Sequence, residues 1–263
     1  MYRDGCQWSP VVDGVELTSH PYELALKGEV APGVPLIIGS TADEGTSFIG
    51  YNRTGDDPDA PEYDMSAAQF KAWAGRIFGK NVTARIEELY PVAAGNTTGH
   101  SYKDHFIAAE NLVSDYMMWC PVRRIARAHV ESKVGGEANS TFVYIFSEVP
   151  GLNDASKDHE GVFHGADVRF SFFDEDQLVG WDEKSLSMAM VRYWTNFAED
   201  GNPNTRAEST YPRKPISTGG VWWPAFDPKR VQHEAVLDFQ LPMERVVYDR
   251  HGPQCDFWDA QSY

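Results

Sequence analysis

Val34-Pro35-Leu36-Ile37-Ile38-Gly39-Ser40-Thr41-Ala42-Asp43-Glu44-Gly45-Thr46 passes from an apolar run to an acidic loop within a few residues. Two adjacent isoleucines, closed by Gly39 and followed by polar residues, read as a fully buried strand feeding a loop. In an open α/β sheet, ligands and reactive groups meet just past the carboxyl ends of such strands, and Asp43 and Glu44 fall there. A second run, Thr141-Phe142-Val143-Tyr144-Ile145-Phe146-Ser147, repeats the pattern. After a loop it is followed by Gly161-Val162-Phe163-His164-Gly165-Ala166-Asp167. The chain thus offers a strand followed by an acid and then a strand followed by a histidine.

Composition narrows what such a chain can do. Its 263 residues, 42% of them apolar, suffice for one large core or two small ones. No apolar run approaches the roughly 18 residues of a membrane span. Met1-Tyr2-Arg3-Asp4-Gly5-Cys6 lacks the basic and then apolar pattern of a signal peptide, so the chain reads either as cytosolic or as lacking its first portion. A net charge of −16 argues against nucleic acid and anionic membrane surfaces as partners, because both attract basic patches. Four N-x-[ST] sequons, at Asn52, Asn81, Asn96 and Asn139, stand where composition would give about one by chance, which points to a secreted or lumenal protein. The plainer reading is that short sequons arise freely and none is used. Three cysteines are too few for a disulfide framework, although two can form one bridge.

Outward from the two strands, the chain reads as a helical insertion within a mostly parallel sheet. A short helix is expected over Pro21 to Lys27, another after Gly45, and an acidic Pro/Gly loop from Asn52 to Tyr63. Helices then follow over Ser66 to Phe78, Thr83 to Tyr90 and Tyr102 to His129, the last broken into two at Pro121. Phe106, Ala109, Leu112, Val113, Tyr116 and Met117 line one face of it, and Asp115 falls beside that face as a solvated flank; burial would demand hydrogen-bond partners. A helix from Glu183 to Glu199 stops at Gly201, a strand covers Ala235 to Phe239, and a last helix lies around Pro253 to Ala260.

These segments together resemble one family, the type-B carboxylesterases, which include the cholinesterases. Pro10-Val11-Val12-Asp13-Gly14, then Pro35 to Gly39 and Asp43-Glu44-Gly45-Thr46, are similar to the family's approach to its acidic triad member. Gly161 to Asp167 resembles its histidine segment. Tyr193-Trp194-Thr195-Asn196-Phe197-Ala198, Gly201-Asn202-Pro203-Asn204 and Trp223-Pro224-Ala225-Phe226 follow in the family's order. The likeness runs from about Pro10 to Ala260. It implies that residues 1 to 263 are the carboxyl-terminal portion of a single α/β-hydrolase domain, with Glu44 as the triad acid and His164 as the base of a Ser…Glu…His order. It also implies a disulfide between Cys120 and Cys255, and it leaves Cys6 without a partner. No cofactor is implied, and the expected substrate is a small carboxylic ester.

The departure is as informative. The family's chains are roughly twice this length, with a front half that carries the nucleophile elbow G-x-S-x-G. No such pattern occurs here, and Gly45-Thr46-Ser47-Phe48-Ile49 fails at its last position. The resemblance therefore implies an incomplete fold, a partner in the missing amino-terminal half, a signal peptide in that half, and no turnover by this chain alone. The alternative is a catalytically inactive relative that keeps the fold for adhesion or ligand binding. Taken singly, Glu44 reads more simply as a helix N-terminal carboxylate and His164 as a hydrogen-bonded loop histidine, and the other family segments reverse that order. Asp158-His159-Glu160 with His164 fits no common zinc spacing, so no metal site is expected.

Overall fold

β1 (Leu36–Thr41) forms from the isoleucine run and pairs in parallel with β2 (Thr141–Phe146), in register from Leu36↔Thr141 to Thr41↔Phe146. β2 pairs in parallel with β3 (Ala235–Phe239), from Val143↔Val236 to Phe146↔Phe239. β4 (Arg245–Tyr248) runs antiparallel to β3 and completes the order β1-β2-β3-β4. The computed structural model describes residues 10–31, 33–49, 63–92, 102–132, 140–152, 160–204, 221–229 and 234–261. Cys6, Asn52, Asn96, Asn139 and His159 lie outside them.

The two inner strands are mostly apolar because both faces of the sheet are covered, and the one charged residue among them, Asp238 of β3, accepts from Arg245 at 3.1 Å. Successive side chains of a strand point to opposite faces. Val143 and Ile145 of β2, with Val236 of β3, join a core containing Phe70, Trp73, Ile86, Leu112 and Trp258. These come from α3 (Ala67–Ile77), α4 (Thr83–Leu89), α5 (His105–Ser114) and α9 (Gly252–Asp259). Phe142 and Phe146, with Leu237 and Phe239, join a second core containing Phe170, Met190, Tyr193 and Trp223. That face is closed by α7 (Val168–Ser171) and α8 (Gly180–Asp200).

Helix limits follow local chemistry. α1 (Pro21–Leu26) starts with proline in its first turn, where the missing N–H is not needed. Ser66 and Gln69 form a reciprocal capping box at the start of α3, and the Asp104 carboxylate accepts the Ile107 N–H at 2.9 Å to start α5. α8 begins three residues before the expected helix, because the buried Glu183 carboxylate caps it from within. That carboxylate accepts the N–H of Val179 at 2.5 Å and of Gly151 at 2.6 Å.

Two expectations change here. The break at Pro121 is instead a π-helical turn, Asp115–Trp119, that joins α5 to α6 (Cys120–Glu131). The Cys120 N–H bonds the Asp115 carbonyl, so the ladder is already widened when the proline arrives in the first turn of α6. Asp115 is no solvated flank: it is 1% exposed and fully engaged, as described below. Beside it, Cys120 and Cys255 form a disulfide across 135 positions of chain, with Cα atoms 5.0 Å apart. Among the described residues, no helix is long and apolar enough to cross a membrane.

Candidate active site

Past Thr41 the chain leaves β1 and turns through Ala42, Asp43 and Glu44 into α2 (Gly45–Ile49). Glu44 is buried, and its Oε1 accepts the Thr41 N–H at 2.8 Å. Its Oε2 lies 2.5 Å from His164 Nδ1, although the two residues are 120 positions apart. An ionised carboxylate can only accept, so a hydrogen bond from such a pair is made by an Nδ1–H and leaves Nε2 as the accepting nitrogen. His164 keeps 52% of its side chain in solvent while the Glu44 carboxylate keeps 5%. The pair is therefore anchored at the acid and open at the base.

The segments on either side fix this arrangement. Of the two adjacent acids, Asp43 turns away from the imidazole: its Oδ2 accepts the Val162 N–H at 2.8 Å, and its own N–H donates to the Val162 carbonyl at 3.1 Å. Gly161 holds a left-handed φ of 54°, and a Cβ there would strike the Asp43 carboxylate. On the far side of Glu44, Ser47 Oγ accepts the His164 N–H at 3.3 Å and Phe48 lies 5.2 Å from the imidazole, ring centre to ring centre. Gly45 is needed for close approach: its N–H donates to Ser114 Oγ at 2.7 Å, and a Cβ would collide with the Glu110 carbonyl.

Several other carboxyl groups surround the pair. Burial raises Asp43 above the usual carboxylate range, against the pull of the Val162 amide and the Arg250 guanidinium. Burial also raises Asp167, which accepts a 2.9 Å hydrogen bond from Tyr144 and feels both Glu44 and His164. Burial, with Asp43 and Asp104 adding repulsion, pushes Glu110 up to about 10, so it is neutral at pH 7. Nothing in the sequence spacing signals the parts played by Asp43, Ser47 or Ser114, because each acts on a residue that only the fold brings near.

A second carboxylate–imidazole pair lies close by. Asp115 Oδ1 meets His251 Nδ1 at 2.7 Å, and its Oδ2 accepts the Tyr90 hydroxyl at 2.9 Å, which in turn accepts the Trp258 N–H at 3.0 Å. Burial and the nearby Asp115 charge push the Tyr90 phenol well up. Of the expected sequons, Asn81 is exposed in the turn before α4. Among the described residues, no group of three or more His, Cys, Asp or Glu is placed to hold a metal ion.

The chain is similar to several known proteins. The carboxylesterase family model matches residues 2–258. Cholinesterase from Mus musculus is 25% identical over 262 residues, covering 95% of this chain and 39% of that protein. Acetylcholinesterase 1 from Caenorhabditis briggsae is 27% identical over 271 residues, covering 96% and 41%. Thyroglobulin from Homo sapiens is 29% identical over 262 residues, which is 9% of its length. A solved PNB esterase superposes with a TM-score of 0.61 at 22% identity, over 95% of this chain and 43% of that one, and shows the α/β-hydrolase fold. The chain spans 39% to 41% of the length of these two cholinesterase relatives.

Proposed function

The chain belongs to the carboxylesterase family, and on that premise we propose that it supplies the acid and the base of a Ser-Glu-His triad for carboxylic-ester hydrolysis. The observation that carries the proposal is the 2.5 Å contact between Glu44 and His164, with the acid buried and the imidazole open. His164 Nε2 takes the proton of a serine hydroxyl as it attacks the ester carbonyl, and then returns it to the leaving alkoxide. Glu44 holds the Nδ1–H tautomer and stabilises the imidazolium that forms.

The nucleophile and its oxyanion donors come, in this proposal, from sequence beyond these 263 residues, since no G-x-S-x-G occurs within them. The 263 residues alone are then inactive toward esters. The Cys120–Cys255 disulfide and the exposed Asn81 sequon support a secreted or lumenal setting, where disulfides persist and such asparagines receive glycans. The lack of the elbow within this chain also favours a second reading, a non-catalytic binding or adhesion protein.

The test is ester turnover by the longest natural product that contains these residues, measured with p-nitrophenyl acetate. Turnover that falls about 10⁴-fold in both Glu44→Gln and His164→Gln supports the enzyme reading. Absence of turnover, or turnover indifferent to both substitutions, overturns it in favour of the binding protein.

A further inference from the structure

We propose that Asp43 is a positioning residue for the Glu44–His164 pair, an inference that rests on reading that pair as acid and base. Asp43 immediately precedes Glu44, and Val162 lies two residues before His164. Between them run two hydrogen bonds: the Asp43 N–H to the Val162 carbonyl at 3.1 Å and the Val162 N–H to the Asp43 carboxylate at 2.8 Å. The loop that ends in the acid and the loop that ends in the imidazole are thereby tied at two points just upstream of the bond they must form. Ser47 adds a third point downstream, accepting the His164 N–H.

The surroundings of Asp43 argue that its carboxylate is there for this link. Among the described residues the Arg250 guanidinium acts on it only from beyond ion-pair distance, and the one hydrogen-bond donor to the carboxylate is the Val162 amide. Holding a carboxylate in such a place costs solvation, and an apolar side chain would fill the space at less cost. Gly161 is matched to it from the opposite side, since a Cβ at that position would occupy the space of the carboxylate. Among the described residues the Glu44 carboxylate meets the Thr41 amide and the imidazole but no backbone group of the histidine loop, so it holds the ring and not the loop that carries it.

The experiment is proton NMR of the naturally produced protein labelled with ¹⁵N-histidine, following the His164 Nδ1 proton, identified by its loss in His164→Gln. Shared with a carboxylate, this proton is expected downfield and slow to exchange with water. Asp43→Ala is expected to lose the resonance to fast exchange, whereas Asp43→Asn, whose side-chain carbonyl still accepts from Val162, is expected to keep it. Gly161→Ala, which displaces the carboxylate from the other side, is expected to lose it, and this variant decides the matter where Asp43→Ala does not fold. Retention of the resonance in Asp43→Ala and Gly161→Ala overturns the positioning role and leaves the pair intact. Its absence from the unsubstituted protein, or its persistence in Glu44→Gln, overturns the reading of the pair and the positioning role with it.

Discussion

Two carboxylate–imidazole pairs in this molecule are joined through a single hydrogen bond. Glu44 is followed by Gly45, whose N–H reaches the hydroxyl of Ser114, the residue before Asp115. By contact geometry the pairs are nearly the same: Nδ1 meets the carboxylate at 2.5 Å in one and 2.7 Å in the other, and each carboxylate takes one further donor. Their surroundings differ. The second donor to Glu44 is a backbone amide at the end of β1, and its imidazole is half in solvent. The second donor to Asp115 is the Tyr90 phenol, itself bonded to Trp258, and the His251 side chain is only 23% exposed. A carboxylate bonded to a histidine is thus no signature of catalysis by itself. What separates the two is exposure: the His164 ring stands half in solvent, and the His251 ring is mostly covered.

The sharpest way to break that contrast is to remove each imidazole in turn from the longest natural product. His164→Gln is expected to lower kcat for p-nitrophenyl acetate about 10⁴-fold, and His251→Gln to leave kcat nearly unchanged while lowering the melting temperature. Equal losses of activity would erase the distinction.

The bridge beside the inner pair comes next. Cys120→Ser with Cys255→Ser is expected to cost about 2–5 kcal/mol of stability, because the disulfide closes a loop across 135 positions of chain. Urea unfolding under non-reducing conditions reads this directly. Asp115→Ala leaves the Tyr90 hydroxyl and the His251 ring without their acceptor and is expected to cost about 3 kcal/mol, while Asp115→Asn costs less. A melting temperature unmoved by Asp115→Ala would show that the inner pair is idle.

The smallest effect sits on the wall between the pairs. Glu110, on α5, is pushed up to about 10. Below about pH 4.5 both folded and unfolded forms keep its proton; as pH rises toward 10 the unfolded chain sheds it first, so the folded state loses stability across that window. Glu110→Gln removes this penalty. It is expected to match the unsubstituted protein near pH 4 and to exceed it by about 1–3 kcal/mol at pH 7, as measured by denaturant titration at the two pH values.

The sequence signalled those parts of the molecule that repeat along the chain or stop it. The apolar runs of β1 and β2 and the helix stop at Gly201 are local, and the strands and α8 appear there. The acid and the histidine were visible as residues following strands, and the structure brings them into contact. The burial of Asp115 was not legible, because its partners lie 25 positions before it and 136 after it. The turn at Pro121 was read as a break, since the proline rule describes one helical ladder and takes no account of a widened turn placed just before it. β4 escaped notice because four residues with a charged first position carry too little pattern, and it exists through its ladder to β3. Gly45 marks the start of a helix in the sequence, and the structure adds that it permits the approach of α5 to the first turn of α2.

The most direct measurement is a crystal structure of the longest natural product containing these residues, with attention to the two ring nitrogens of His164. The expected result has Nδ1 on Glu44 and Nε2 within about 3 Å of a serine hydroxyl contributed by another part of the same product. An imidazole turned away from Glu44, or an Nε2 facing bulk water with no serine near it, would contradict the role proposed for the pair.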